Sequence, residues 1–297
     1  MKVTVFTPTY NRAYILKKLY RSLQRQSSRD FEWLIVDDGS TDDTEALVGR
    51  WIRERNDFPI RCFKQSNGGK CRAINKGLEE ARGELFLVID SDDYLTQDAI
   101  RKIIKWESEL PKGDKYCAVA GNLGTGKSET PNRLFEASFF DGTLLDRYRT
   151  LNGERAIAFY TDVHKKYLYP TFEDEKFMTE AVVYNRMAHD GYKTRFYNDI
   201  ICIYEYLDDG LTKAGNELFL KNPRGYALWL REKREFMGAS LRQKMRLWYA
   251  YYCEMTYCDA RYRLSKKQCA EYIGAPLPFM WAAESAHTVR TMMKRKK

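Results

Sequence analysis

Histidine is scarce in this chain of 297 residues: only His164, His189 and His287 occur. None stands at metal-ligand spacing, which argues against a zinc site and leaves each as a surface or packing residue. The seven cysteines, Cys62, Cys71, Cys117, Cys202, Cys253, Cys258 and Cys269, are odd in number and form no C-x-x-C pair. A disulfide scaffold is excluded, and reduced thiols of a cytosolic protein are expected. No apolar run approaches the ~18 residues of a spanning helix. Nothing at the start reads as a signal peptide, because Met1-Lys2 passes directly into an apolar strand. Internal repeats and low-complexity linkers are also missing, so the chain reads as one large domain or one and a half.

Net charge is nearly absent from most of the chain. From Gly215 onward 17 Lys and Arg stand against 7 Asp and Glu, while the preceding residues carry 33 against 34, so the whole excess of +9 belongs to the tail. Aromatics such as Trp229, Trp248, Tyr251, Tyr257 and Trp281 are interleaved with the basic residues, and the chain ends Lys294-Arg295-Lys296-Lys297. A basic, aromatic-rich helical segment without a spanning run suits the surface of an anionic membrane, and nucleic acid would give the same charge signature. The plain alternative is that Leu228, Leu230, Leu241, Leu247 and the aromatics pack the tail onto the rest of the protein, with Lys and Arg solvated.

What the chain does have is carboxylates at strand ends. Leu85 to Ile89 runs an apolar strand into Asp90-Ser91-Asp92-Asp93, and Trp33 to Val36 runs another into Asp37-Asp38-Gly39-Ser40-Thr41. Adjacent carboxylates repel and are costly to desolvate, so such a cluster calls for a divalent cation or a donor-rich partner. Capping of a helix beginning near Thr96 is the simpler role for Asp92 or Asp93. A third strand, from Val3, breaks into the polar loop Thr9-Tyr10-Asn11-Arg12. Between these strands, Ile15, Leu16, Leu19, Tyr20 and Leu23 fall at helical spacing, as do Ala46, Leu47, Trp51 and Ile52 over Thr44 to Arg53. Alternating strands and helices predict a parallel sheet with right-handed crossovers, so the three clusters should converge on one crevice at the strands' C-terminal ends.

The segments T-P-T-Y-N-R (Thr7 to Arg12), V-D-D-G-S-T-D-D-T (Val36 to Thr44), N-G-G-K (Asn67 to Lys70), A-I-N-K-G (Ala73 to Gly77) and I-D-S-D-D (Ile89 to Asp93) stand in this order within the first ~95 residues. In this the chain resembles the nucleotide-sugar glycosyltransferases of family 2. The resemblance implies an α/β GT-A fold, a mostly parallel central sheet flanked by helices, here with a helical appendage: a catalytic domain over 1–212 and a basic, aromatic-rich tail over 213–297. It implies that Asp37 or Asp38 holds the base and ribose of the donor, with Pro8, Thr9, Tyr10 and Arg12 lining that pocket and Asn67, Gly69, Lys70, Asp90 and Ser91 near it. Asp90 and Asp92 match the family's D-x-D signature, with Asp92 and Asp90 as ligands of Mn2+ or Mg2+. Such a cation neutralises charge growing on the departing nucleoside diphosphate. Lys70 could add a cation or be a solvated loop lysine.

An acceptor hydroxyl must also lose a proton as it attacks. The family carries this base in an E-D pair opening a late helix, and here that pair is not intact. The literal Glu173-Asp174 dipeptide would make Asp174 the base, with Glu175 beside it. Counting back from Gly191-Tyr192-Lys193 instead puts Glu180 in the aspartate's position, and Glu180 is preferred because helix length constrains it. Glu173 to Glu175 otherwise read as a solvated acidic stretch near a helix N-terminus.

The expectation is therefore an inverting hexosyl-type transferase moving sugar from a nucleoside diphosphate, UDP-sugar first, to a hydroxyl of a glycan or lipid-linked acceptor in polysaccharide biosynthesis. A lipid-linked acceptor ranks the anionic membrane above nucleic acid as the tail's partner and predicts a cytoplasmic protein at the inner face of the cell membrane. A metal-dependent nucleotidyltransferase and a non-catalytic nucleotide-sugar-binding protein are the alternatives. Gly121 to Ser128 formally satisfies G-x-x-x-x-G-K-S, but Pro131 opposes the helix that a phosphate loop must open; a loop after a strand from Tyr116 is expected instead. Lys193 to Leu207 is expected to form a strand pair or a long edge strand.

Overall fold

The computed structural model describes residues 1–126, 128–205 and 215–295, with side chains described as far as Thr288. Two compact units divide the chain: Met1–Tyr169 with Arg186–Asp208, and Pro170–Asn185 with Asp209–Lys297. The boundary expected at residue 212 and the terminal Lys294-Arg295-Lys296-Lys297 side chains lie outside the described residues.

In the first unit the chain runs β1 (Val3–Thr9), α1 (Lys17–Gln24), β2 (Phe31–Asp37), α2 (Thr44–Arg53), β3 (Ile60–Lys64), α3 (Lys70–Glu80), β4 (Leu85–Val88), β5 (Tyr94–Leu95), α4 (Ala99–Ser108), β6 (Tyr116–Gly124), β7 (Phe139–Gly142), β8 (Arg155–Tyr160) and α5 (Thr161–His164). The excursion into the second unit ends within α6 (Ala181–His189), at Asn185, and the chain then continues to β9 (Lys193–Ile203). Among the described residues nine strands form one sheet, in the order β3-β2-β1-β4-β8-β6-β9-β5 with β7 on β9. The first four are parallel, as the alternating pattern predicts. Beyond β4 the sheet is mixed, because β8 enters antiparallel between β4 and β6.

Every residue of β1 and β2 is buried, as expected of parallel strands covered on both faces. On one face Tyr20 of α1 stacks on Trp33 of β2 and Trp51 of α2, with ring centroids 5.9 and 4.4 Å apart. On the other, α3 comes so close to β1 that a Cβ on Gly77 would stand 2.2 Å from the Phe6 ring. Only glycine permits that approach, which brings the start of α3 to the rim where β1, β2 and β4 end.

Two expectations change. The segment from Lys193 is one strand of 11 residues with β6 on one side and β5 and β7 on the other, so it is neither a pair nor an edge. Its apolar alternation cannot reveal how many neighbours it has. Gly121 to Gly124 lie inside β6, and among the described residues no helix follows before β7. This geometry is incompatible with a phosphate loop; Lys127 itself lies outside the described residues.

The second unit contains α7 (Gly215–Leu220), α8 (Pro223–Phe236), α9 (Leu241–Thr256), α10 (Lys266–Ile273) and α11 (Leu277–Arg295). Its core joins Ala227, Tyr251, Tyr252, Met255, Cys269, Ile273 and Met280. Ser240 with Gln243 and Ser265 with Gln268 form capping boxes that start α9 and α10. Several of the tail's aromatics thus pack its own core, whereas Trp281 remains 57% exposed. Among the described residues no helix is long and apolar enough to cross a membrane.

Candidate active site

The ends of β1 and β2 are stitched into one rim. Thr9 and Asp37 are register partners, and the Asp38 amide donates to the Thr9 carbonyl at 2.8 Å. Asn11, at φ 53, turns the chain in a left-handed conformation that asparagine tolerates better than most residues. Its Oδ1 accepts from the Thr41 amide at 2.8 Å, while its own amide donates to Ser40 Oγ at 2.8 Å. The Arg12 amide donates to Thr44 Oγ1 and the Ala13 amide to Asp42. Sequence reasoning missed these stitching roles of Asn11, Ser40, Asp42 and Thr44; the signal was available in the turn-forming types on both loops.

The two aspartates ending β2 do different things. Asp38 accepts from Gln65 Nε2 at 2.7 Å, the Gly68 amide at 2.9 Å and the Gly69 amide at 2.7 Å. Its carbonyl takes the Asn67 side chain. Asp38 and Asn67 therefore hold the loop that launches α3, and Gly69, at φ 92, is the residue before that helix. Asp37 accepts from the Ser40 amide through Oδ1, and its buried Oδ2 has no hydrogen-bond partner. The same holds for Oγ1 of its register partner, Thr9. Pro8 is buried beside them, Tyr10 is 47% exposed, and Arg12 donates to the Tyr14 hydroxyl.

The D-x-D segment follows β4 as a turn closed by the Asp93 amide on the Asp90 carbonyl. Ser91 is buried. Lys70, the first residue of α3 and not a solvated loop lysine, places its ammonium 2.7 Å from Asp90 Oδ1 and 2.8 Å from Oδ2. Burial and then the Asp90 charge push the Asp92 carboxyl above the usual carboxylate range, with Arg12 and Lys70 opposing the shift. Burial, Asp90 and Asp92 push Asp93 up to about 8. The helix predicted from Thr96 begins at Ala99, after the short strand β5, so neither Asp92 nor Asp93 is its cap.

These carboxylates fit a hard divalent cation. All the donors are oxygens, and crowding already disfavours their joint ionisation. Among the described residues no group of three or more His, Cys, Asp or Glu could hold a metal ion by itself. Mg2+ is usually bound by one or two carboxylates that share the ion with substrate phosphates.

The candidate bases belong to the second unit. Glu175 is buried and accepts from the Arg224 amide at 2.6 Å and the Gly225 amide at 2.8 Å, the first amides of α8. Asp174 is exposed. Glu180 is half-buried just before α6, and the Tyr184 hydroxyl donates to its Oε2 at 2.7 Å.

Comparison with known proteins agrees with this architecture. Residues 4–169 match Glycosyl transferase family 2. The poly(ribitol-phosphate) beta-N-acetylglucosaminyltransferase TarS of Staphylococcus aureus is 30% identical over 148 residues, 49% of this chain and 25% of TarS. The GalNAc(5)-diNAcBac-PP-undecaprenol beta-1,3-glucosyltransferase of Campylobacter jejuni is 33% identical over 123 residues, 41% of this chain and 38% of that protein. The chain thus matches well under half the length of either relative. Among solved structures, S. aureus TarS 1-349 in complex with UDP-GlcNAc superposes with a TM-score of 0.61 at 16% identity, covering 97% of this chain and 92% of that one. The mannosyltransferase PcManGT from Pyrobaculum calidifontis, in complex with GDP-Man and Mn2+, gives 0.57 at 20% identity, covering 97% and 75%. These likenesses are to GT-A glycosyltransferases and show the fold. With more than half of its length matched by the family, the chain belongs to glycosyl transferase family 2.

Proposed function

We propose that the protein transfers a sugar, with inversion, from a nucleoside diphosphate donor, UDP-sugar in the first instance, to a hydroxyl of a glycan or lipid-linked acceptor in polysaccharide biosynthesis. The observation that carries the nucleotide reading is the pair Thr9 Oγ1 and Asp37 Oδ2, buried without partners on register-paired residues at the end of the parallel strands. Buried polar atoms are rarely left unsatisfied, and a base N–H or a ribose hydroxyl supplies the donor that Asp37 lacks. UDP-GlcNAc and GDP-Man in the two superposed enzymes support this class of donor.

In this reading Asp92 and Asp90 would hold Mn2+ or Mg2+, whose charge would offset that of the leaving diphosphate. Asp37 orients the nucleoside, and Lys70 adds positive charge beside Asp90. Glu180, steadied by Tyr184, takes the proton of the acceptor hydroxyl as its oxygen bonds to the anomeric carbon and the bond to the diphosphate breaks. Asp174 and Glu175 are the other carboxylates considered for this step, and the engagement of Glu175 with α8 favours Glu180. The name of the C. jejuni relative, with its undecaprenol-linked glycan, supports a lipid-linked acceptor. The basic tail and exposed Trp281 support peripheral contact with the anionic inner face of the cell membrane, and so a cytoplasmic location.

A thermal-shift panel of nucleoside diphosphates, their sugars and nucleoside triphosphates, each with Mn2+, Mg2+ or EDTA, tests the donor reading, because a ligand of the native state raises stability with its affinity. A cation-dependent rise with UDP, enlarged by one UDP-sugar, is expected. A response to nucleoside triphosphates alone would overturn it.

A further inference from the structure

Arg155, the first residue of β8, carries a charge that the reaction above does not use. Its Nη1 donates to the Asn152 carbonyl at 2.7 Å, while Nε and Nη2 are buried with no hydrogen-bond partner. The guanidinium carbon lies 5.7 Å from the ring centroids of both Phe135 and Phe196. Aromatic faces accommodate the flat sides of a guanidinium, but its N–H groups lie in the plane and need acceptors. Among the described residues no carboxylate pairs with it, and burial alone pulls it below its ordinary range.

The surroundings are built rather than loose. Asn198 accepts from the Phe135 amide at 2.8 Å and donates to the Phe135 carbonyl at 3.0 Å. Asn132 donates to Asn122 Oδ1 and to the Glu154 carbonyl. Asn122 in turn donates to the Asn198 carbonyl and is the register partner of Arg155 on β6. This asparagine ladder fixes the segment around Phe135 against the sheet. The β4–β8 register runs from Leu85 and Tyr160 toward Asp90 and Arg155, so Arg155 lies toward the sheet end that carries the D-x-D turn.

A buried cation with two unmet in-plane donors is the signature of a missing oxyanion, for which the guanidinium fork is the matching shape. We propose that Arg155 binds an oxyanion carried by the acceptor, a phosphate or a sugar carboxylate, and so selects anionic acceptors. This rests on the glycosyltransferase reading of the neighbouring site. The residue is only partly buried as a whole.

The test is the 15N–1H signal of Arg155 Nε in the full chain saturated with UDP and diamagnetic Mg2+, titrated with glycerol 1-phosphate, glucuronate or glucose. A saturable shift with the phosphate or the carboxylate, absent with glucose, is expected, and whichever probe acts identifies the group. Arg155→Gln should abolish that binding, and Arg155→Lys, which keeps charge but loses the fork, should weaken it about tenfold, both with UDP affinity unchanged. No saturable shift with either anion, or equal anion binding by Arg155→Gln, would overturn the proposal. Failure of the wild type to bind UDP would instead strike the donor reading on which it rests.

Discussion

The Lys70 ammonium bonds both oxygens of Asp90, so the first aspartate of the D-x-D turn shares its charge between a lysine and any cation it helps to hold. Lys70→Met should tighten binding of Mn2+ alone by about threefold to tenfold, because a competing positive charge is gone. In the presence of Mn2+ it should weaken UDP binding by about tenfold, a loss near 1.4 kcal/mol. Calorimetry of the two titrations separates these opposite signs, and a parallel loss of both affinities would refute the competition.

Asp37 and Asp38 are adjacent in sequence and differ in their partners. Asp38→Ala removes three hydrogen bonds to the 65–69 loop and should cost about 2–4 kcal/mol of stability. Asp37→Asn loses little stability and should raise the Kd for UDP at least about tenfold. Denaturant unfolding and UDP binding on both variants check the pair; a reversal of the pattern would exchange the assignments.

Among the acidic residues of the second unit, Glu175 and Glu180 should also separate. Glu175→Ala leaves the first amides of α8 without their carboxylate and should destabilise the protein by about 1–3 kcal/mol. Glu180→Gln should leave stability and UDP affinity nearly unchanged while kcat falls about a hundredfold or more. Transfer assays beside unfolding curves decide this, and an active Glu180→Gln would send the search for the base back to Asp174.

Burial, reinforced by the Glu54 carboxylate that accepts its hydroxyl, pushes Tyr20 up to about 12. The folded protein holds this proton more tightly than the unfolded chain, whose tyrosine titrates near its ordinary value of 10.0. The stabilisation is complete below pH 10 and is lost as pH rises toward 12. Unfolding curves across that window should show a steeper fall for the wild type than for Tyr20→Phe; identical slopes would contradict the assignment.

Much of this was legible in the sequence, because it is written in local pattern. The helix read over Thr44 to Arg53 is α2, and apolar runs ending in Asp37 and Asp90 are β2 and β4 with the residues that follow them. Three-dimensional pairing was not legible. Lys70 could be read as a cation at the site or as a loop lysine because its partner Asp90 lies 20 residues away, and Asp37 and Asp38 read alike because the donors to Asp38, from Gln65, Gly68 and Gly69, belong to another loop. Strand β9 resembled an edge because alternation reports faces, not neighbours. Arg155 gave no signal at all: a solvated arginine and one enclosed by Phe135 and Phe196 read alike.

The central claim is a nucleotide held by Asp37 and a cation held by Asp92 at one rim. Titration calorimetry of UDP into wild type, Asp37→Asn and Asp92→Asn, each with Mn2+ or EDTA, tests it most directly. The account predicts tight binding by wild type with Mn2+ that weakens in EDTA, loss of the Mn2+ dependence in Asp92→Asn, and weakened binding in Asp37→Asn whether or not Mn2+ is present. UDP binding by wild type that is indifferent to EDTA, or a Mn2+ effect that survives intact in Asp92→Asn, would contradict it.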